Sequence, residues 1–382
     1  MTFSAIKIGS FAKVKGGKRL PKGAQLYDEP TEHPYIRVTD MYSDGLNSFQ
    51  IKYIDQQTHD SISRYTISIH DVYISIAGTI GRVGMVPDTF NGANLTENAA
   101  KITDIDSSFN PRFLMYFLRS HLGQGQIAAK TGGTSQPKLA LYRIEEIYCP
   151  KLPRDMQDEI VLAAKNYDDL IENNRRRIQL LDESARLLYQ EWFVHLRFPG
   201  HEQVKIIDGV PEGWAKEPLE NLLVLQRGFD LPISNRIEGN VPIYASTGIN
   251  GFHNVAKVKG PGVVTGRSGS LGTVMYVAKD YWPLNTTLWV KEFKKASPIF
   301  ATFLLRAMKL EGYNGGAAVP TLNRNDVHKV DVLCPDAKLM SEFEVQIENI
   351  FKQIDKLKEY NEKLAQARDL LLPKLMSGEL TV

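Results

Sequence analysis

The strongest order in this chain is a pair of stretches in which apolar positions advance alternately by four and three residues. The first passes through Ile160, Ala164, Tyr167, Ile171, Asn174, Ile178, Leu181, Ala185, Leu188 and Trp192. The second passes through Phe343, Ile347, Ile350, Ile354, Leu357, Asn361, Leu364, Arg368, Leu371 and Leu375. Such alternation is a heptad seam, and it predicts two helices of about 33 residues, or ~50 Å at 1.5 Å per residue. Placed antiparallel with Asn174 opposite Asn361, every seam residue meets a seam residue, Ile160 with Leu375 and Trp192 with Phe343 at the extremes. An asparagine in an apolar seam costs stability and is accounted for when its amide meets a polar group across the interface, so Asn174 and Asn361 are the candidate register residues. The same register sets Arg368 against Tyr167, a cation beside a ring.

Ahead of each helix the pattern is strand-like, with runs such as Asp71-Val72-Tyr73-Ile74-Ser75-Ile76 and Gly262-Val263-Val264-Thr265 punctuated by glycines. Each such region holds one short helix opened by proline, at 111–119 and 298–308. The two regions repeat one another. Ile8 to Gly17 lies over Leu219 to Gly228, and Gly78-Thr79-Ile80-Gly81 over Gly269-Ser270-Leu271-Gly272. Further on, Gly132-Gly133, Pro137 and Leu139 lie over Gly315-Gly316, Pro320 and Leu322, and Cys149-Pro150 over Cys334-Pro335. The order is collinear, while the offset shrinks from 211 residues at Ile8/Leu219 to 183 at Pro137/Pro320, as loop insertions in the first half would make it. A module of roughly 190 residues is therefore used twice. The fold class this predicts is α/β (α+β): two tandem globules separated by two long antiparallel coiled-coil helices, with a pseudo-two-fold internal repeat. The expected divisions are a first globule at 1–150, a spacer helix at 151–198, a linker at 199–212, a second globule at 213–334, and a second spacer helix with its tail at 335–382.

Composition narrows the class. At 382 residues, 43% hydrophobic and 24% charged, the chain has the balance of a soluble protein of two or three domains. Its apolar runs fall far short of the ~18 residues a spanning helix needs, and its opening lacks the charged-then-apolar pattern of a leader, so a cytoplasmic location and no membrane partner are expected. Two cysteines, Cys149 and Cys334, allow no disulfide framework, no CxxC offers zinc ligands, and both are expected as small buried hydrophobes. The net charge of +2 says little, but its distribution says more. Residues 1–150 carry 16 Lys and Arg against 14 Asp and Glu, residues 199–334 carry 15 against 12, and the helical segments 154–198 and 335–382 each carry 7 against 9. Lys7, Lys13, Lys15, Lys18, Arg19 and Lys22 all precede the first acidic residue, a local excess that favours a polyanion.

Catalytic constellations are thin. The sequence has no GxxxxGK[ST], HExxH or GxSxG pattern, and Gly78, Gly81 and Gly84 suit tight turns better than a dinucleotide site. The eight histidines show no ligand-like spacing and no repeat-matched pair. A duplicated enzyme would duplicate its acid, base or nucleophile, whereas the matched residues here are glycine, proline, leucine and aromatic. The expectation is a binding protein with no catalytic residue, metal or cofactor.

With those residues in view, the chain resembles the specificity (S) subunit of type I restriction-modification systems along essentially its whole length. The features that carry the likeness are the duplicated module, Val210-Pro211-Glu212-Gly213-Trp214, Gly262-Val263-Val264-Thr265-Gly266-Arg267-Ser268-Gly269-Ser270-Leu271-Gly272, the Gly-Gly…Pro-x-Leu segment before each Cys-Pro, Leu187-Leu188…Trp192-Phe193…Phe198-Pro199-Gly200, and Leu371-Leu372-Pro373-Lys374-Leu375-Met376-Ser377-Gly378-Glu379-Leu380. The resemblance implies two target recognition domains, each reading one half of a split sequence in double-stranded DNA and held apart by the helix pair. It implies a non-catalytic subunit that brings two methyltransferase (M) subunits, and in the full complex restriction (R) subunits, to the DNA. Methyl transfer and ATP-driven steps would belong to those partners.

Sequence readout needs Arg, Lys, Asn or Gln at base edges, while Ser and Thr more often hold phosphates. In the first globule the candidates are Lys15, Lys18, Arg19, Lys22, Arg37, Arg82, Thr134, Ser135, Gln136 and Lys138. In the second they are Arg227, Arg236, Arg267, Ser268, Ser270, Asn323 and Arg324. Arg267 has Ile76 at its matching place, so that contact does not transfer between halves, and the differing loops imply two different half-sites. Trp192, Phe193 and Leu196, with Leu372, Leu375 and Met376, form apolar helix ends that either dock partner subunits or seat the globules. Two other readings stand beside this one. A fused DNA methyltransferase or nuclease would need an Asn/Asp-Pro-Pro-Tyr/Phe motif or an acidic metal cluster, neither of which is present. A non-catalytic coiled-coil adaptor for protein or glycan would lack salt-dependent affinity for duplex DNA. If the helices act as a ruler, removing seven residues from each changes the gap between the half-sites and leaves the bases read unchanged; sequencing the methylated sites of cells carrying the shortened chain with its partner checks this.

Overall fold

Each half of the repeat builds the same four-stranded antiparallel sheet, and the sheet order is the firmest expression of the duplication. The computed structural model describes residues 4–42, 45–46, 51–133, 137–313 and 320–380. The chain divides into two units, Met1–Arg175 with Lys358–Val382, and Arg176–Leu357. In the first unit the strands lie in the order Lys13–Gly16, Ala99–Thr103, Val72–Ser75, Val83–Gly84. In the second the order is Leu223–Arg227, Thr287–Phe293, Gly262–Gly266, Val274–Val277, which repeats the first strand for strand. Both units also pair a short N-terminal strand with the strand that holds the matched cysteine, Ile6 opposite Cys149 and Ala215 opposite Cys334. Both thiols are buried and free, and burial pushes that of Cys334 up to about 11.

The central strands read as nearly continuous apolar runs because both their faces are covered. Val72 and Ile74 face a core shared with Phe113, Leu114 and Phe117 of the short helix Pro111–Arg119. Tyr73, pointing the other way, joins Ile36, Met41 and Ile67. In the second unit Val263 joins the core of the helix Pro298–Ala307, whereas Val264 packs with Val277 and Tyr281. Each short helix starts at a capping side chain followed by proline: Asn110 accepts from the Arg112 amide at 2.8 Å and Ser297 from the Phe300 amide at 3.1 Å. Each carries a matched arginine in its last turn. Arg119 Nε donates to the Val83 carbonyl at 2.7 Å, and Arg306 Nε to the Val274 carbonyl at 3.2 Å, tying helix to edge strand.

The long helices are Arg154–Tyr189 and Ala337–Ser377, the first continuing into a π turn at Gln190–Val194. No described helix is long and apolar enough to cross a membrane. In the first unit Ile160, Val161 and Ala164 share a core with Leu372, Leu375 and Met376, while Asn174 Nδ2 donates to Asn361 Oδ1 at 2.9 Å, so the two segments run in opposite directions. In the second unit the rings of Trp192 and Phe343 lie 5.9 Å apart, and Leu181 and Ser184 line one recess with Gln353, again antiparallel. Phe193, Leu372, Leu375 and Met376 are buried, so these helix-end side chains seat the globule of their own unit.

One expected seam contact is corrected. Arg368 bonds Asp168 rather than resting on Tyr167. Its side chain is only 5% exposed, and a buried guanidinium is satisfied far better by a carboxylate one residue along the helix than by a ring. Asp369 Oδ1 accepts a second bond from Arg368 at 2.9 Å. Burial opposes the charge on Arg368, and the two carboxylates more than offset it, raising its pKa. Asp168 in turn accepts from the Tyr116 hydroxyl at 2.7 Å and lies 3.8 Å from Arg119, so a single carboxylate joins both helices to the globule. Asp168→Ala, which leaves the nearly buried Arg368 with Asp369 and Arg119 with the Val83 carbonyl, is expected to destabilise the first unit by about 3 kcal/mol. Arg368→Met leaves Asp168 with Arg119 and Tyr116 and should cost much less; thermal unfolding of the two variants checks the asymmetry.

Candidate nucleic-acid interface

In each sheet the first and third strands end where the second begins, so three loops emerge at one end. The first loop leaves its strand through a glycine that passes against the backbone of the next. A Cβ on Gly17 would sit 2.0 Å from the Thr96 carbonyl oxygen, and one on Gly228 would sit 2.2 Å from that of Leu284. The passage is closed by matched bonds: Gly17 to the Ala99 carbonyl at 2.9 Å, and Gly228 to that of Thr287 at 3.0 Å. The third strand's exit is matched as well, with Ile76 bonded to the Asn98 carbonyl at 2.8 Å and Arg267 to that of Thr286 at 2.9 Å. A fourth segment joins at the same place, where Ala77 bridges Lys138 and Ser268 bridges Thr321.

These strand ends gather a subset of the candidates. In the first unit they bring together Lys18, Arg19 and Lys138. Arg19 Nε donates to Glu97 Oε1 at 2.8 Å while its side chain stays 80% exposed, and Lys18 lies 5.6 Å over the ring of Tyr65. Burial works against the Glu97 carboxylate, but Arg19 and Thr96 hold its pKa below the usual range. In the second unit the ends bring together Arg227, Arg267 and Ser268. Arg267 Nη1 donates to the Asn285 carbonyl at 2.9 Å, and Arg227 Nη2 lies 3.5 Å from both oxygens of Asp230. Lys22 sits exposed on the loop that follows the first strand and has no ion-pair partner among the described residues.

Other candidates sit elsewhere. Lys15 lies within a strand beside Lys101, and with Lys13 it holds Asp104, 3.4 and 3.2 Å away. Arg37 clasps the buried Asp40 through Nε at 3.0 Å and Nη2 at 2.6 Å. Arg82 bonds the Met41 carbonyl and lies 5.5 Å from the Tyr42 ring. Arg236 donates to the Asn250 carbonyl at 2.6 Å, bracing a hairpin. Ser270 stands in the turn between the third and fourth strands, where Gly269 and Gly272 adopt φ values of 83° and 86°. Asn323 caps the short helix Arg324–His328, which begins with the exposed Arg324. Thr134, Ser135 and Gln136, and the Gly315-Gly316 turn, lie outside the described residues.

Sequence reasoning missed Glu97, Asp230 and Asn285. Their signal was present: Leu95-Thr96-Glu97-Asn98 and Pro283-Leu284-Asn285-Thr286 occupy the same place in the repeat, directly ahead of the second sheet strand. The rings of His33 and His59 stack at 4.0 Å. Among the described residues no group of three His, Cys, Asp or Glu could hold a metal ion.

A duplicated sheet with cations at one strand end, carried on long paired helices, defines a two-module binding protein. Residues 2–183 match the family model described as the type I restriction modification DNA specificity domain. The MjaIX type I restriction enzyme specificity subunit of Methanocaldococcus jannaschii is 21% identical over 301 residues, which cover 71% of this chain and 69% of that protein. The MjaVIII specificity subunit of the same organism is 24% identical over 249 residues, 63% of this chain and 53% of that one. Among solved structures, the S subunit of the type I restriction-modification system of M. genitalium aligns over 98% of this chain and 96% of its own, with 17% identity and a TM-score of 0.49. Nearly half of the chain thus matches the DNA specificity domain of type I restriction-modification systems, and the relatives it is similar to are specificity subunits of such systems.

The segment that carries Asn323 and Arg324 is pinned to the sheet by a titratable group. His328 Nε2 accepts from the Leu225 amide at 2.9 Å, a bond that only the neutral ring can make. Burial holds the His328 pKa below 6.5, with Arg324 and Lys294 acting in the same direction and Glu220 opposing them. Because the unfolded chain takes up this proton first as pH falls, the contribution is complete above the unfolded value near 6.5 and is lost on acidification through the folded one. The thermal midpoint should therefore fall between pH 7.5 and 5.5 more steeply than in His328→Gln, whose amide accepts the same bond without titrating.

Proposed function

We propose that this chain reads DNA sequence for a type I restriction-modification complex, each unit engaging one half of a bipartite double-stranded target through its sheet's strand-end cluster. The observation that carries this reading is the coincidence of a repeated scaffold with unrepeated side chains. Both units present loops from the same strand ends, yet Arg267 stands where Ile76 does, and Asp230 where Arg19 does. A duplicated catalyst would conserve its reactive groups between copies; a pair of readers with different half-sites would conserve the frame and vary the contacts. The chain itself recognises and does not catalyse. Methyl transfer belongs to two methyltransferase subunits and cleavage to restriction subunits of the full complex, all acting in the cytoplasm. Lys18, Arg19, Lys22 and Lys138, with Thr134, Ser135 and Gln136, serve one half-site; Arg227, Arg267, Ser268, Asn323 and Arg324 serve the other. Asn174 and Asn361 fix the register of the helix pair, since the Asn174 amide donates to Asn361 across the seam.

The test is duplex binding by the chain in complex with its methyltransferase partner across a salt series. The logarithm of affinity should fall linearly with that of salt concentration, by about 0.9 per neutralised phosphate. Lys22→Ala should weaken all duplexes alike and reduce the slope by about 1, with base preference unchanged. Salt-independent binding, or none, overturns the reading in favour of an adaptor for protein or glycan.

A further inference from the structure

The two strand-end clusters place a side-chain contact at the same point of the repeat, with the charge of its first member reversed. In the first unit it joins Arg19, two residues beyond the close-approach glycine, to Glu97 across the loop gap. In the second unit Asp230 stands two residues beyond Gly228, and Asn285 stands opposite, in the place of Glu97. Here the second residue donates, since Asn285 Nδ2 bonds Asp230 Oδ1. The position next to the glycine therefore carries a guanidinium in one unit and a carboxylate in the other.

A carboxylate is out of place at a surface that meets phosphates unless it has a donor to receive. Asp230 remains 65% exposed, and the two Arg227 contacts, both 3.5 Å long, are at the limit of a hydrogen bond. Among base edges in the major groove, the exocyclic N4 amine of cytosine is the donor that Asp and Glu accept from, whereas an arginine fork suits the O6 and N7 acceptors of guanine. Resting on the reading that these units engage DNA, we propose that Asp230 and Arg19 occupy matched base-reading positions of opposite polarity, Asp230 selecting cytosine in one half-site and Arg19 guanine in the other. Asn285 and Glu97 act as positioning residues, each holding its reader from the neighbouring loop. The two half-sites then differ at equivalent places because hydrogen-bond donor and acceptor have changed sides on a common frame.

The experiment selects bound duplexes from a randomised pool, using the complex of the full chain with its methyltransferase partner. The unsubstituted complex should enrich cytosine at a position of one half-site that Asp230→Asn relaxes by about tenfold, with every other position retained. Rebuilding the other unit's contact, Asp230→Arg with Asn285→Glu, should turn the cytosine preference at that position into guanine. Unchanged preference in both variants, or uniform weakening with no position singled out, overturns the inference while leaving DNA reading intact. Failure of the unsubstituted complex to bind duplex in a salt-dependent way overturns the functional reading itself, so the two failures are told apart. Because Asp230 is largely exposed, circular dichroism should show both variants folded; loss of fold in Asp230→Asn would assign the residue to loop packing and overturn the proposal.

Discussion

The close passage of backbone at Gly17 and Gly228 is the constraint on which the interface rests. A methyl group at either place would lie 2.0 to 2.2 Å from a carbonyl oxygen, far inside van der Waals contact, so the first loop can turn under the next only where no side chain exists. That turn sets Lys18 and Arg19 beside Thr96, Glu97 and Asn98, and Phe229 and Asp230 beside Leu284, Asn285 and Thr286. The sheet determines where loops emerge, and the glycine determines which of their residues are neighbours. A protein that must present different side chains in one geometry has reason to repeat the glycine and leave the next two positions free to vary.

The variation is not random in its physics. Lys18 follows Gly17 and lies over the ring of Tyr65, whereas Phe229 follows Gly228 and lies 5.1 Å beneath the ammonium of Lys257. One residue further along, the cation of Arg19 faces the carboxylate of Glu97, whereas the anion of Asp230 accepts from the amide of Asn285. At the first of these positions the contact type is retained while its ends trade residues, and at the second an ion pair gives way to a carboxylate held by a neutral amide. Such an exchange preserves the attraction that orders the loops and changes what solvent, or a ligand, meets at the exposed end.

The parts of this structure legible from the sequence are those governed by periodicity and by backbone. The heptad alternation marked two helices now bounded at Arg154–Tyr189 and Ala337–Ser377, and collinear glycines, prolines and cysteines marked a repeat that the matching sheet orders display. What escaped was pairing between side chains distant in sequence. A seven-residue repeat places Arg368 on the seam, but the choice between Tyr167 and Asp168 depends on rotamer and burial, which periodicity does not carry. Arg37 and Lys15 were legible as cations, but not as cations already claimed by Asp40 and Asp104. Glu97, Asp230 and Asn285 were passed over because a search for partners of a polyanion looks for positive charge, and an acidic or amide residue registers as background.

The electrostatics of the interface point to discrimination rather than raw affinity. A chain with a net charge of +2 has little long-range attraction for DNA, and its strand-end cations are partly neutralised by Glu97 and Asp230. Each such pair lowers the gain from counterion release at any sequence, because the cation must give up a carboxylate to take a phosphate. It also holds the cation's side chain in place, so less conformational freedom is lost when a base edge arrives. For a DNA reader, the difference between right and wrong sequences is then larger in proportion to total binding. A surface crowded with unpaired lysines would attract a polyanion more strongly and distinguish sequences less well than cations already paired with carboxylates.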